Sequence, residues 1–314
     1  MTEPTSSYGV PEGLVDSLLT QDLPVPDVPL PEAVTSSSFA PTDRKAPRDD
    51  RWWGHHLAEL RWQAELARLL VSPVWYGVGV PRGNGQPVLL IPGFLAGDES
   101  LAPMANWMSR MGHKPYGSGM HLNVDCSDRA VSRIERRLEK VVDQHGRKAA
   151  LVGHSRGGHF SKALAHRRPD LVEQVISMGS GLDEPFDISI PTKAAVAAVR
   201  TVLQSTSIRA AKNGCLTDTC DCPFVRDYSA PFPSEQVPLT SIFTRGDGVV
   251  RWRACAVPYA RNVEISGSHI GLAFNRRAYR VIGLLLGGKA DEVRTVPAYD
   301  GPTDEERARS SGGF

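Results

Sequence analysis

The spacing of apolar positions changes along the chain, and the changes mark out elements. Between residues 51 and 72, Trp53, Leu57, Leu60, Trp62, Leu66, Leu69 and Leu70 recur at three- and four-residue steps with Arg and Glu between them. That spacing predicts an amphipathic helix, stopped by Pro73 and followed by a Gly/Pro loop, PRGNGQP. From Gln86 the pattern alternates. PVLLIPG (87–93) is fully apolar and reads as a buried strand. Leu101, Met104, Met108 and Met111 share one helical face, and Gly112 closes that helix. HLNVDC (121–126) reads as the next strand. Val131, Ile134, Leu138 and Val141 then line a helix over 128–145, with Ser127 placed to cap its start and Gly146 its end. KAALVGH (148–154), 172–178, 239–243 and 262–266 read as strands, and 156–167 and 275–286 as helices. Strands alternating with helices predict an α/β domain, a mostly parallel central sheet flanked by helices on both faces.

Three stretches depart from this rhythm. Residues 1–48 hold eight of the 24 Pro and many Ser and Thr, which predicts a disordered or extended arm. Residues 49–85 are then an N-terminal helix and linker, and 86–288 the α/β domain. Residues 182–236 interrupt two core strands with a helical piece (Val196, Val199, Leu203), several Pro and three Cys. They read as a helical cap insertion over one end of the sheet. Residues 289–314 are Gly-, Ser- and charge-rich and read as a loose tail.

Composition narrows the function classes. Over 314 residues, 36 Lys and Arg stand against 35 Asp and Glu, a net charge of +1, which argues against nucleic acid as a partner. No apolar run approaches the roughly 18 to 20 residues of a membrane helix. The N-terminus lacks a basic and an apolar signal region, so a cytoplasmic location is the expectation. Five Cys in so long a chain do not make a disulfide framework. Cys126 and Cys255 read as small buried hydrophobes. In CLTDTCDC, the C-x4-C-x-C spacing of Cys215, Cys220 and Cys222 departs from zinc patterns, leaving a cap disulfide or reduced thiols as the main readings.

The chemistry concentrates in Gly153-His154-Ser155-Arg156-Gly157-Gly158. It fits G-x-S-x-G between an apolar strand and an amphipathic helix, the setting in which a Ser on a tight turn becomes a nucleophile. A serine hydroxyl needs a base. Eight of the nine His lie at or before His166, and His159 and His166 sit on the helix after Ser155, so His269 in ISGSHIG is the remaining candidate. The acid should hang from the end of the preceding strand, which selects Asp247 in FTRGDGVV over Asp218, Asp221 and Asp227 in the insertion. Acyl transfer also needs oxyanion donors, worth about 3 kcal/mol each. The Arg156 amide is one; in IPGFLAG the Phe94 amide is the first choice for the other and Leu95 the second. The Arg156 side chain reads as a solvated group or a contact for an anion. Leu95, Val196 and Val199 are the expected pocket residues. No cofactor or metal is called for.

LLIPGF, LVGHSRGGH, FTRGDGVV and GSHIG together resemble the α/β-hydrolase superfamily, and in particular its lipase/esterase branch as found in actinobacteria. The resemblance covers roughly 86–286. It implies the α/β-hydrolase fold, a cap, and hydrolysis of a small-molecule acyl ester, including lipid esters, through an acyl-enzyme without a cofactor. Pro92 stands where many such lipases carry His, and the N-terminal arm lies outside the family core. The same residues would serve a thioesterase or acyltransferase, and a catalytically idle binding protein on this fold is the third reading.

Overall fold

The computed structural model describes residues 59–205 and 222–299; the N-terminal arm, Trp53, Leu57, Cys215, Cys220 and residues 300–314 lie outside them. Six strands, β1 (Pro87–Ile91), β2 (Lys114–Gly117), β3 (Ala149–His154), β4 (Val172–Met178), β5 (Leu239–Phe243) and β6 (Arg261–Glu264), form one sheet in the order β2-β1-β3-β4-β5-β6. All five pairings are parallel. Parallel pairing requires crossovers, and these place helices on both faces. Val88, Leu90, Ala150, Val152, Ile176 and Ile242 enter one core with α2 (Ala102–Arg110) and α8 (Arg276–Leu286). Their neighbours Leu89, Ile91, Ala149, Leu151, Val175 and Leu239 enter the other with α3 (Ser127–His145) and α4 (Arg156–Arg167). Burial on both sides is why these strands read as continuous apolar runs. This is the α/β-hydrolase fold.

The strand order reverses at β1: the chain steps outward to β2, then returns to add β3 on the other side. Such a reversal leaves a crevice beyond the carboxyl ends of the two strands, where ligands bind in open α/β sheets. Phe94 follows β1 there and Ser155 follows β3.

Several elements differ from expectation. The strand after α2 is Lys114–Gly117, not 121–126. It is a half-exposed edge strand, so no apolar run marks it. Residues 121–126 instead form a loop tied to the β1 end: Leu95 N donates to the Asn123 carbonyl at 3.3 Å, and Asn123 Nδ2 to the Pro92 carbonyl at 2.9 Å. Ser127 is the first residue of α3 rather than its cap, which is Cys126; Gly146 does end the helix, at φ 62°. The N-terminal helix, α1 (Trp62–Leu70), buries Leu69, but Leu60 and Leu70 face solvent while Glu65 is buried. Its inward face is partly a carboxylate face.

Between β4 and β5 the described residues form α5 (Ile190–Ser205) and α6 (Pro223–Ser229). Phe224, Val225 and Tyr228 of α6 join the core around Phe160. Residues 290–299 do not trail away: Val293 is buried, Val296 bridges Asn262, and Tyr299 meets Trp252 edge-on. Of the three insertion cysteines, only Cys222 falls within the described residues. No helix among the described residues is long and apolar enough to cross a membrane.

Candidate active site

Ser155 joins β3 to α4 with φ 53° and ψ −121°, a conformation that costs a non-glycine residue roughly 1–3 kcal/mol and persists only where its surroundings enforce it. The surroundings are backbone. A Cβ on Gly157 would lie 2.1 Å from the Ile91 carbonyl oxygen, one on Gly153 2.5 Å from the Gly157 carbonyl, and one on Gly93 3.0 Å from Ser155 Cβ. The glycines therefore let three backbone segments converge under one side chain. Gly157→Ala should destabilise the protein by about 3 kcal/mol or more, because rigid sheet backbone has to move. Urea unfolding checks this, and an unchanged midpoint would refute the tight-turn account.

Asp247 lies just beyond β5 and His269 just beyond β6, both buried. His269 Nδ1 and Asp247 Oδ2 are 2.7 Å apart, and Asp247 Oδ1 accepts from Val249 N at 2.8 Å and Val250 N at 2.7 Å. Both carboxylate oxygens are thus engaged, which fixes the carboxylate plane against the imidazole. Burial alone would lower the His269 pKa, but the charge and hydrogen bond of Asp247, with the charge of Glu59, raise it above its ordinary value. The His269 carbonyl accepts from His154 Nε2 at 2.9 Å. Burial, with the neighbouring His269, pushes His154 down to about 4, so it is a neutral donor at physiological pH.

Two residues not singled out from the sequence hold these loops. Glu59 Oε1 accepts from Gly248 N at 3.0 Å and His269 N at 2.9 Å, and its Oε2 from Ile270 N at 2.8 Å. Glu65 Oε1 accepts from Ser268 N at 3.0 Å. Glu65 was detectable in principle: with Trp62, Leu66 and Leu69 it occupies the inward stripe of α1, where an acidic residue needs a reason. A third residue not singled out is Asn123, which ties the loop after β1 to Arg156.

The Arg156 side chain is not a solvated group. It is buried, donating through Nη1 to Asn123 Oδ1 at 2.9 Å and through Nη2 to the Asp125 carbonyl at 2.7 Å and Ser127 Oγ at 3.0 Å, with its guanidinium 5.0 Å from the Phe160 ring centre. It locks the 121–127 loop to the start of α4. The Leu95 amide donates to the Asn123 carbonyl at 3.3 Å. Asp227, on α6, pairs with Arg167, far in role from the His269 loop.

Ser155 and His269 border one cavity of about 680 Å³. Phe94, Leu95, Ile188, Val196, Phe224 and Ile270 are among its walls, and Val199 is not. His159 also lines it; burial and the nearby charges of Arg156 and Lys162 keep that imidazole neutral down to about 3. Among the described residues no group of His, Cys, Asp and Glu could hold a metal ion.

The chain is an α/β-hydrolase-fold protein with a partly open, largely apolar cavity beside Ser155 and His269. A family model described as alpha/beta hydrolase fold matches residues 86–221, which includes Ser155 and ends before Asp247 and His269. The chain is similar to several solved structures. The lipase BlEst2 of Bacillus licheniformis in its propeptide form is 16% identical with a TM-score of 0.50, covering 70% of this chain and 53% of that one. Its mature form is 18% identical with a TM-score of 0.48, covering 66% and 94%. The metagenomic carboxyl esterase MGS0156 is 14% identical with a TM-score of 0.50, covering 67% and 78%. No curated protein matches the chain.

Proposed function

We propose that this protein is a serine hydrolase that cleaves carboxylic esters through an acyl-enzyme. One observation carries the reading: a buried His269–Asp247 contact of 2.7 Å borders the same cavity as a Ser held at positive φ between a strand and a helix. Ser155 Oγ attacks the acyl carbonyl as His269 Nε2 takes its proton. Asp247 keeps the Nδ1–H tautomer and stabilises the imidazolium that forms. The amides of Phe94 and Arg156 receive the oxyanion. Collapse expels the alcohol, protonated by His269, and leaves an ester on Ser155. Water, activated by the same imidazole, then releases the acid. The neighbours described as a lipase and a carboxyl esterase share the fold this chemistry uses.

The apolar walls suit an uncharged acyl chain, and Val196 on α5 sits on them. Val196→Trp should lower kcat/KM for an octanoyl ester about tenfold relative to an acetyl ester, as expected when a pocket loses room for methylenes. A chain-length series of p-nitrophenyl esters measures this. Equal loss across the series would place the acyl chain elsewhere. Including acyl-CoA and glycerol esters separates ester from thioester preference.

A further inference from the structure

Residues 59–70 precede the stretch that matches the hydrolase-fold family model, yet two of their carboxylates reach the loops that bear the acid and the base. We propose that Glu59 is a positioning residue for proton transfer: one carboxylate joins the Asp247 turn to the His269 loop and so fixes the two partners at working distance, with Glu65 holding the adjoining Ser268. The inference rests on the serine-hydrolase reading above.

The geometry is specific. Asp247 and His269 sit on separate loops after separate strands, and their hydrogen bond is only as constant as the spacing of those loops. Gly248 N, next to the acid, and His269 N, the base's own amide, both donate to Glu59 Oε1; Ile270 N donates to Oε2. A carboxylate is all acceptor and can take such a set, whereas a neutral amide cannot offer two accepting oxygens. Glu59 is only 8% exposed, so these donors replace the water its carboxylate gives up on burial. Glu65 adds Ser268 N, and a Cβ on Gly271 would lie 1.6 Å from Glu65 Oε2, so the loop closes directly over this carboxylate. Four amides of the acid and base loops therefore end on two side chains of the N-terminal segment.

The arrangement has a second effect. The charge of Glu59 favours the imidazolium form of His269, in the same sense as Asp247. The other ionisable groups near this pair are His154 at the end of β3, neutral at physiological pH, Cys255 of α7 (Trp252–Cys255) beside Asp247, and Glu65 with Arg61 close to it. A base must be neutral to accept the Ser155 proton, so activity is lost as pH falls through the His269 pKa. Removing the Glu59 charge lowers that pKa and moves the acid limb to lower pH.

The test is Glu59→Gln, with Glu59→Ala as a second variant, in the full chain. Expected for Glu59→Gln are a retained cooperative unfolding transition, a kcat at least about tenfold lower with KM within about twofold, an acid limb of kcat/KM at lower pH, and a lower titration midpoint of the His269 ring by NMR. Faster hydrogen exchange at the His269 and Ile270 amides is expected in both variants. A wild-type kcat and acid limb would overturn the proposal. So would a loss of activity that tracks lost stability while the limb and the ring midpoint stay put, since that is a purely structural role. The ring titration and amide exchange need no turnover. If the wild-type protein neither hydrolyses esters nor reacts at Ser155, the hydrolase reading fails while these two readouts still decide on Glu59.

Discussion

Ser155→Ala is expected to lower kcat/KM toward p-nitrophenyl butyrate by about 10⁴- to 10⁶-fold, the range seen when an activated nucleophile is removed and only binding and oxyanion contacts remain. Among the described residues the Ser155 hydroxyl makes no hydrogen bond that holds the fold; the turn is held by Ser155 N donating to the Met178 carbonyl at 2.8 Å and by Gly158 N donating to the Ser155 carbonyl at 2.9 Å. Alanine also relieves nothing of the positive φ, so the unfolding midpoint should stay within about 1 kcal/mol of the parent. A steady-state assay with a stability control separates the two effects. Residual activity within tenfold of the parent would mean that another group attacks the ester.

Asp247→Asn should have the second largest effect, a fall in kcat of about 10⁴-fold with little change in KM. The substitution is nearly isosteric, but an amide carries two donors where the site presents only N–H groups: Val249 N and Val250 N on one side and His269 Nδ1 on the other. Whichever way the amide turns, it sets donor against donor. The imidazole is then driven toward the tautomer with its proton on Nε2, the wrong nitrogen for accepting one from Ser155. Some rate should return at high pH, where Ser155 ionises more readily. A kcat within tenfold of the parent would show that something other than Asp247 orients His269.

The sheet was legible because its strands are buried on both faces. Val88–Ile91, Ala149–Val152 and Val175–Met178 have no polar alternation to confuse the reading, and the glycines around Ser155 signal a turn that nothing bulkier fits. The edge strand Lys114–Gly117 was not, because one flank faces solvent and its apolar content is low. The pairing of His269 with Asp247 could be read from chain order and strand ends. Glu59 and Glu65 could not be assigned a role in that way: their partners are backbone amides some 190 to 210 positions distant, and amides leave no residue-type signature. The Arg156 side chain was misread for the same reason, since two of its acceptors are carbonyls in a loop that the sequence suggested was a strand.

The central claim is that Ser155 is a nucleophile made reactive by His269. Its most direct measurement is labelling of the purified protein with a fluorophosphonate probe, followed by peptide mapping of the adduct by mass spectrometry. The account predicts one adduct, on Ser155, formed in the parent and lost in His269→Ala that remains folded. Absence of labelling in the parent, an adduct on another residue, or undiminished labelling in His269→Ala would contradict it.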